Sequence, residues 1–121
     1  PPSHEIRVDL KISDECFFNI DKMIPLGLIV NELFSNSLKH AFPQNKGKVS
    51  LEAYKLQKSG FVICFEDDGV GLPEGFIIEE AESLGMQLIV MLSDQLDGRV
   101  NFSYVGKREG VNYGLRVELR F

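Results

Sequence analysis

Charged and apolar residues alternate without a break over residues 5–12 of the chain. Successive side chains of a β-strand point to opposite faces, so this alternation predicts a strand with one face against a core and one face in solvent. A strand of this kind belongs in a sheet that is covered on one side. The apolar positions are Ile6, Val8, Leu10 and Ile12, and the charged positions are Glu5, Arg7, Asp9 and Lys11.

The hydrophobic periodicity of the rest of the chain predicts further strands and two helices that cover one face of the sheet. Pro25 suits the first turn of a helix, and Pro43 ends that helix. The order of elements, ββαββαββ, predicts an α+β fold: a two-layer sandwich whose mixed, mainly antiparallel sheet carries the helices on one face, in one domain over residues 1–121. The predicted strands cover residues 5–12, 16–20, 49–56, 61–65, 99–104 and 113–121, and the predicted helices cover residues 25–42 and 84–96.

Charge and cysteine content exclude several classes of function. The net charge of −5 argues against nonspecific nucleic-acid binding, which requires basic patches. Cys16 and Cys64 lie in apolar runs without a CxxC pair, which predicts reduced thiols and a cytoplasmic setting. No apolar run reaches the about 18 residues of a membrane span, although a membrane-bound parent protein stays open because the chain begins at Pro1.

The first predicted helix has an unusual polar side. On a helical wheel, Glu32, Asn36, Lys39 and His40 fall together, opposite an apolar face. Mg²⁺ prefers hard oxygen ligands and keeps several waters, so one amide oxygen from Asn36 beside phosphate oxygens is a sufficient protein contribution. Lys39 can reach a phosphate, and Glu32 can accept a proton. The alternative is an ordinary solvated face. The opposite side carries Leu26, Val30, Leu33, Phe34, Ser37 and Ala41.

Two glycine-containing segments allow a ligand to approach the backbone. In residues 66–71, Asp68 can accept a hydrogen bond from an exocyclic amine, while Gly69 and Gly71 leave room for a flat ring. In residues 83–88, Gly85 lies in the first turn of the second predicted helix, where free N–H groups favour phosphates. The alternative for residues 66–71 is a tight acidic turn, and the alternative for residues 83–88 is an ordinary helix start. Neither segment matches a P-loop or a dinucleotide-binding GxGxxG motif.

Taken in order, these pieces resemble the superfamily of ATPases that includes histidine kinases, gyrase, Hsp90 and MutL (GHKL). Residues 31–42 resemble its N box, residues 68–71 its G1 box and residues 84–88 a reduced G2 box. Residues 25–33 together with 39–43 resemble the histidine kinase branch whose dimerisation domain is of the second HisKA type, close to the HWE kinases. The resemblance covers nearly the whole chain.

The resemblance implies an ATP-binding catalytic domain of a sensor histidine kinase. Such a domain binds Mg²⁺ and ATP and donates the γ-phosphate to a histidine on a separate, upstream dimerisation domain, in a two-component system that acts through a response regulator. The fragment by itself is then expected to be monomeric. In the roles that the resemblance implies, Asn36 binds Mg²⁺, Glu32 acts as a base, and Lys39 and His40 contact the phosphates. Asp68 accepts a hydrogen bond from the adenine amino group, and Gly69 and Gly71 line the pocket. Closure over the phosphates is implied for Leu84, Gly85 and Met86.

The chain also departs from the family pattern. The G2 segment has a single glycine, residues 73–83 are short for an ATP lid, and no helical hairpin with an acceptor histidine precedes the domain. His4 is interpreted as a terminal surface histidine. Two alternatives remain: a serine-directed kinase of the anti-sigma type, which shares the fold, and a degenerate docking module without catalysis.

Overall fold

Seven strands and two helices are present in the computed structural model, which describes residues 5–75 and 84–121. No helix in these residues is long and apolar enough to cross a membrane. The strands are β1 (Glu5–Ile12), β2 (Lys46–Lys55), β3 (Phe61–Asp67), β4 (Arg99–Ser103), β5 (Gly106–Arg108), β6 (Val111–Tyr113) and β7 (Leu115–Arg120). The helices are α1 (Ile20–Asn36), which continues into a π-helical turn (Ser37–Ala41), and α2 (Leu84–Gln95).

Five of the strands form one sheet in the order β1-β2-β3-β7-β4. The β1–β2 pair is parallel and the other pairs are antiparallel. Strands β5 and β6 form a separate small hairpin. The predicted fold class, a mixed and mainly antiparallel sheet with two helices, is therefore confirmed.

The core lies between this sheet and the helices. Cross-strand partners Leu51, Phe65 and Val117 all point to the helix side, because their positions are aligned across β2, β3 and β7. Phe65 is fully buried, and Phe34 of α1 packs edge-on against its ring at 5.4 Å. The buried helix residues that face the sheet include Leu26, Ile29 and Leu33 of α1 and Met86, Ile89 and Leu92 of α2.

Helix α1 begins earlier than the sequence predicts. The predicted strand over residues 16–20 is absent, because the Asn19 side chain accepts a hydrogen bond from the Lys22 backbone N–H at 3.2 Å and caps the helix. Pro25 consequently lies inside α1 instead of at its start. Both cysteines are free and half-buried, and burial raises the pKa of each thiol above its ordinary value.

Strand β1 differs from the predicted half-buried strand. Its apolar side chains do face the helix side, because Val8, Leu10 and Ile12 are aligned with Val49, Leu51 and Ala53 of β2. However, those three side chains remain 49%, 62% and 55% exposed. Of the β1 residues only Ile6 packs against the core cluster, since β1 is the outermost strand.

Candidate functional site

A buried carboxylate ends strand β3. Period-two alternation places Asp67 on the same face as Ile63 and Phe65, and Asp67 is only 2% exposed. Its Oδ1 accepts hydrogen bonds from the backbone N–H of Gly69 at 3.0 Å and of Leu115 at 3.2 Å. Its Oδ2 accepts one from Ser37 Oγ at 2.5 Å. The carboxylate is therefore held in one orientation by the π-helical turn, the loop after β3 and the start of β7.

Asp67 forms part of the wall of a cavity of about 390 Å³. Most of that wall is apolar, so the cavity favours a flat, weakly polar group. Asp67 then offers such a group a fixed hydrogen-bond acceptor, and Asn36, Ser37 and His40 provide the other polar side chains. The apolar lining comes from Ala41, Val70, Leu72, Pro73, Met86 and Leu115, together with Gly71.

The π-helical turn brings adjacent pairs of residues to this cavity. Asn36 and Ser37 line it, and so do His40 and Ala41, four residues further on. A π-helical turn closes its hydrogen bonds over five residues instead of four, and such turns often occur at functional sites. Both pairs face the cavity in this turn, and Ser37 and Ala41 are buried there.

The loop after β3 is fixed by close backbone contacts. A Cβ on Gly69 would lie 2.3 Å from the Ala41 carbonyl oxygen, and the Gly69 carbonyl accepts a hydrogen bond from Gly114 N–H at 2.7 Å. Val70 N–H donates to the same Ala41 oxygen at 3.1 Å. These contacts leave no room for a side chain at position 69, so its glycine is required by packing.

We expect Gly71→Ala to destabilise the protein more than Gly75→Ala. Both glycines have positive φ, +78° and +76°, which costs an L-residue about 1 kcal/mol. Of the two, only the Cβ added at Gly71 would also meet neighbours among the residues that the structure describes, at 2.7 Å from the Gly114 oxygen and 3.0 Å from the Tyr104 ring. Urea unfolding should therefore show a loss of about 2 kcal/mol for Gly71→Ala and about 1 kcal/mol for Gly75→Ala. Equal losses would contradict the tight contact at Gly71.

Of the residues predicted from the sequence, Asn36, His40, Gly71 and Met86 line the cavity. Glu32 is half-buried on α1, one turn before Asn36, and Lys39 is exposed. Leu84 begins α2, and Gly85 follows it in the first turn. The predicted short lid lies largely in residues 76–83, outside the described part of the chain.

Asp68 is not among the residues that line this cavity. Its Oδ1 accepts a hydrogen bond from Lys48 N–H at 2.7 Å, and its side chain borders a separate cavity together with Lys46 and Arg108. The reason is strand alternation, which turns successive side chains to opposite faces. Every second residue after the buried Phe65 faces the same side of the sheet, and that residue is Asp67. The sequence therefore already indicated Asp67, and not Asp68, as the carboxylate on the cavity side. Leu115 and Pro73, by contrast, carried no recognisable signal.

Asn36 is the candidate metal ligand of the site. Its Nδ2 donates to Met86 Sδ at 3.4 Å, so the amide oxygen is the atom that a cation would take. Among residues 5–75 and 84–121, no group of three or more His, Cys, Asp or Glu could hold a metal ion. A Mg²⁺ that arrives with a nucleotide needs only one or two protein oxygens, and Asn36 fits that requirement.

Comparisons with known proteins agree on the type of domain. The family described as histidine kinase-, DNA gyrase B-, and HSP90-like ATPase matches residues 21–121. The sensor histidine kinase PdtaS of Mycobacterium tuberculosis is 32% identical over 118 residues, which cover 95% of this chain and 22% of PdtaS. The chain thus spans about a fifth of that relative.

Solved structures share the fold. The histidine kinase domain of the blue-light-activated kinase EL346 from Erythrobacter litoralis has a TM-score of 0.83 at 24% identity, over 98% of this chain and 55% of that one. Full-length ShkA, solved in complex with AMPPNP, has a TM-score of 0.69 at 18% identity, over 95% of this chain and 25% of that one.

Proposed function

Because this chain belongs to the histidine kinase-, DNA gyrase B-, and HSP90-like ATPase family, we propose that it is an ATP-binding catalytic domain of a cytoplasmic kinase segment. In this proposal residues 1–121 bind ATP with Mg²⁺ and donate the γ-phosphate to a histidine on a separate dimerisation domain, in a two-component system. The observation that carries the proposal is the buried Asp67 carboxylate in the wall of a mainly apolar cavity.

Adenine fits the chemistry of this cavity. The flat ring would lie against apolar side chains such as Val70, Leu72 and Met86. Its exocyclic amino group would donate to Asp67 Oδ2, an oxygen that accepts from Ser37 and retains acceptor capacity. Asp67 therefore takes the adenine role that the sequence suggested for Asp68. A guanine ring presents a carbonyl oxygen at the same position and would face the carboxylate unfavourably.

The phosphates would lie on the side of Asn36 and His40. The Asn36 amide oxygen would hold Mg²⁺, which when bound neutralises charge on the phosphates. His40, with the nearby Lys39, would contact phosphate oxygens, and the first turn of α2 at Leu84 and Gly85 would offer backbone N–H groups.

Glu32 would assist the transfer itself. It precedes Asn36 by one helical turn, a spacing that places two side chains on the same face. In the transfer, the bond between the γ-phosphorus and the ADP oxygen breaks and a bond to an imidazole nitrogen of the acceptor histidine forms. The imidazole proton passes to the Glu32 carboxylate. Positioning and charge neutralisation supply most of the rate in reactions of this kind.

Titration calorimetry tests the nucleotide site. We expect the chain to bind ATP in preference to GTP, and Mg²⁺ to strengthen the binding of ATP. The amino group of adenine accounts for the first result and the Asn36 oxygen for the second. Absence of ATP binding, or equal affinity for ATP and GTP, would contradict the proposed site.

The acceptor is identified by the chemistry of the label. In a longer kinase that contains the dimerisation domain, we expect a radioactive γ-phosphate to become attached in an acid-labile form, as a phosphohistidine is. An acid-stable label would indicate the alternative, a serine-directed kinase. No label at all would indicate a docking module. The isolated chain is expected to remain unlabelled at His4 and His40.

A further inference from the structure

The free edge of the main sheet carries an unusual strand. Within residues 5–75 and 84–121, strand β1 pairs with β2 on one side only, and it is eight residues long. Its helix-side residues Val8, Leu10 and Ile12 are each about half exposed. Proteins usually shorten, bulge or cover such an edge, because its unpaired backbone can pair with another chain.

The backbone groups on this edge are oriented for pairing. The N–H groups of Glu5 and Ser13 donate to Asn45 and Ala53, both at 2.9 Å, so the odd-numbered residues of β1 are turned toward β2. Because orientation alternates along a strand, the N–H and C=O groups of Ile6, Val8 and Leu10 point to the open edge. In an antiparallel pair centred on Val8, these residues are the ones that would be hydrogen-bonded.

The charges of β1 are complementary to themselves in that register. The odd positions read negative, positive, negative, positive at Glu5, Arg7, Asp9 and Lys11. Antiparallel pairing about Val8 sets Glu5 opposite Lys11 and Arg7 opposite Asp9, twice each by symmetry. Centring the pair on Asp9 instead sets Arg7 opposite Lys11 and Asp9 opposite itself.

The apolar positions match in the same register. Val8 meets Val8, and Ile6 meets Leu10, all on the helix side of the sheet. On that side α1 also exposes Ile20, Ile24 and Leu28 at a spacing of four residues. Asp9 is ionised at neutral pH, since the hydrogen bond from Lys48 lowers the pKa of its carboxyl.

We propose that β1 is a homodimerisation edge, at which two copies of this chain pair antiparallel about Val8 and join their five-stranded sheets into one. This goes beyond the proposed nucleotide-binding function and departs from the monomer expected for the fragment. The partner is a second copy of this chain, because the charge order and the apolar positions of β1 are both complementary to themselves in one register.

Analytical ultracentrifugation of two charge variants and their mixture tests the pairing. We expect the unmodified chain to dimerise with a dissociation constant on the order of 10–100 µM, typical of a small interface. Lys11→Glu and Glu5→Lys should each raise that constant about tenfold or more, because each places like charges opposite one another twice. An equimolar mixture should recover dimers, because the carboxylate introduced at position 11 of one variant faces the ammonium introduced at position 5 of the other.

The mixture separates pairing from folding, since a variant that fails to fold cannot be rescued by a second one. Lys58→Glu makes the same charge change in the exposed turn between β2 and β3, outside β1, and should leave dimerisation unchanged. A chain that stays monomeric at several hundred µM, or a mixture that fails to recover dimers, would overturn the proposal.

Disulfide trapping tests the register. Under mild oxidation Val8→Cys should form a covalent dimer, because the two residues at the centre of the pair lie within the Cα separation that a disulfide spans. Leu10→Cys should not, because its opposite residue is Ile6. The native cysteines are common to both variants. Equal cross-linking of the two variants would contradict the register about Val8.

Discussion

Asp67→Asn is expected to lower the affinity for ATP about 100-fold while the protein stays folded. Oδ1 of Asp67 accepts from two backbone N–H groups, so the amide oxygen of an asparagine would take that position. The NH₂ group would then replace Oδ2, where the Ser37 hydroxyl can turn to accept from it. The adenine amino group would meet a second donor, and a buried donor without an acceptor costs about 1–3 kcal/mol.

Two comparisons make this prediction specific. ITP carries an oxygen where ATP carries the amino group. The ratio of ITP affinity to ATP affinity should therefore be higher in Asp67→Asn than in the unmodified chain. Asp68→Asn makes the same chemical change at the neighbouring residue, whose carboxylate accepts a hydrogen bond from Lys48 N–H outside the cavity. Its ATP affinity should change no more than about twofold. Calorimetry with both nucleotides measures these effects. If Asp67→Asn lowers the affinity for ATP and the affinity for ITP equally, Asp67 does not recognise the adenine amino group.

Asn36→Ala is expected to abolish the strengthening of ATP binding by Mg²⁺. In a longer kinase with its acceptor domain, phosphoryl transfer should fall by about 100- to 1000-fold, because the ion that neutralises charge on the phosphates would lose its protein ligand. Binding of ATP without Mg²⁺ should change little, since the adenine contacts remain. The measurements are ATP titrations with Mg²⁺ and with a chelator, followed by the rate of labelling.

Two further variants separate the metal role of Asn36 from a packing role. Asn36→Asp loses the hydrogen bond to Met86 Sδ but keeps an oxygen ligand, so it should retain the effect of Mg²⁺, whereas Asn36→Ala loses both the hydrogen bond and the oxygen. Asn31→Ala removes an exposed asparagine from the same helix and should leave both measurements unchanged. If the Mg²⁺ effect persists in Asn36→Ala, the ion is held elsewhere.

Local patterns in the sequence were sufficient for the fold class and for four of the eleven residues that line the cavity. Alternation and helical periodicity depend on neighbouring residues, so they located α1, α2 and most of the strands of the sheet. The polar side of the first helix was also local, and it predicted Asn36 and His40 correctly as neighbours. The cap at Asn19 was local as well, but the mainly apolar run over residues 16–20, which includes Asn19, predicted a strand instead.

Tertiary structure decided which residues share the cavity. Asp67 and Asp68 differ by one position, and the choice between them depends on which face of β3 the helices cover. Leu115 joins the site only because β7 pairs with β3, across 48 residues of chain.

Strand β1 shows the same division. Its alternation correctly predicted a strand with one apolar face, because side-chain direction is a property of the strand itself. Whether that face is buried depends on the position of the strand in the sheet, and β1 is at the edge. The sequence therefore determined the directions of side chains, whereas the order of strands determined their neighbours, because pairing between distant segments is set by the packing of the whole chain.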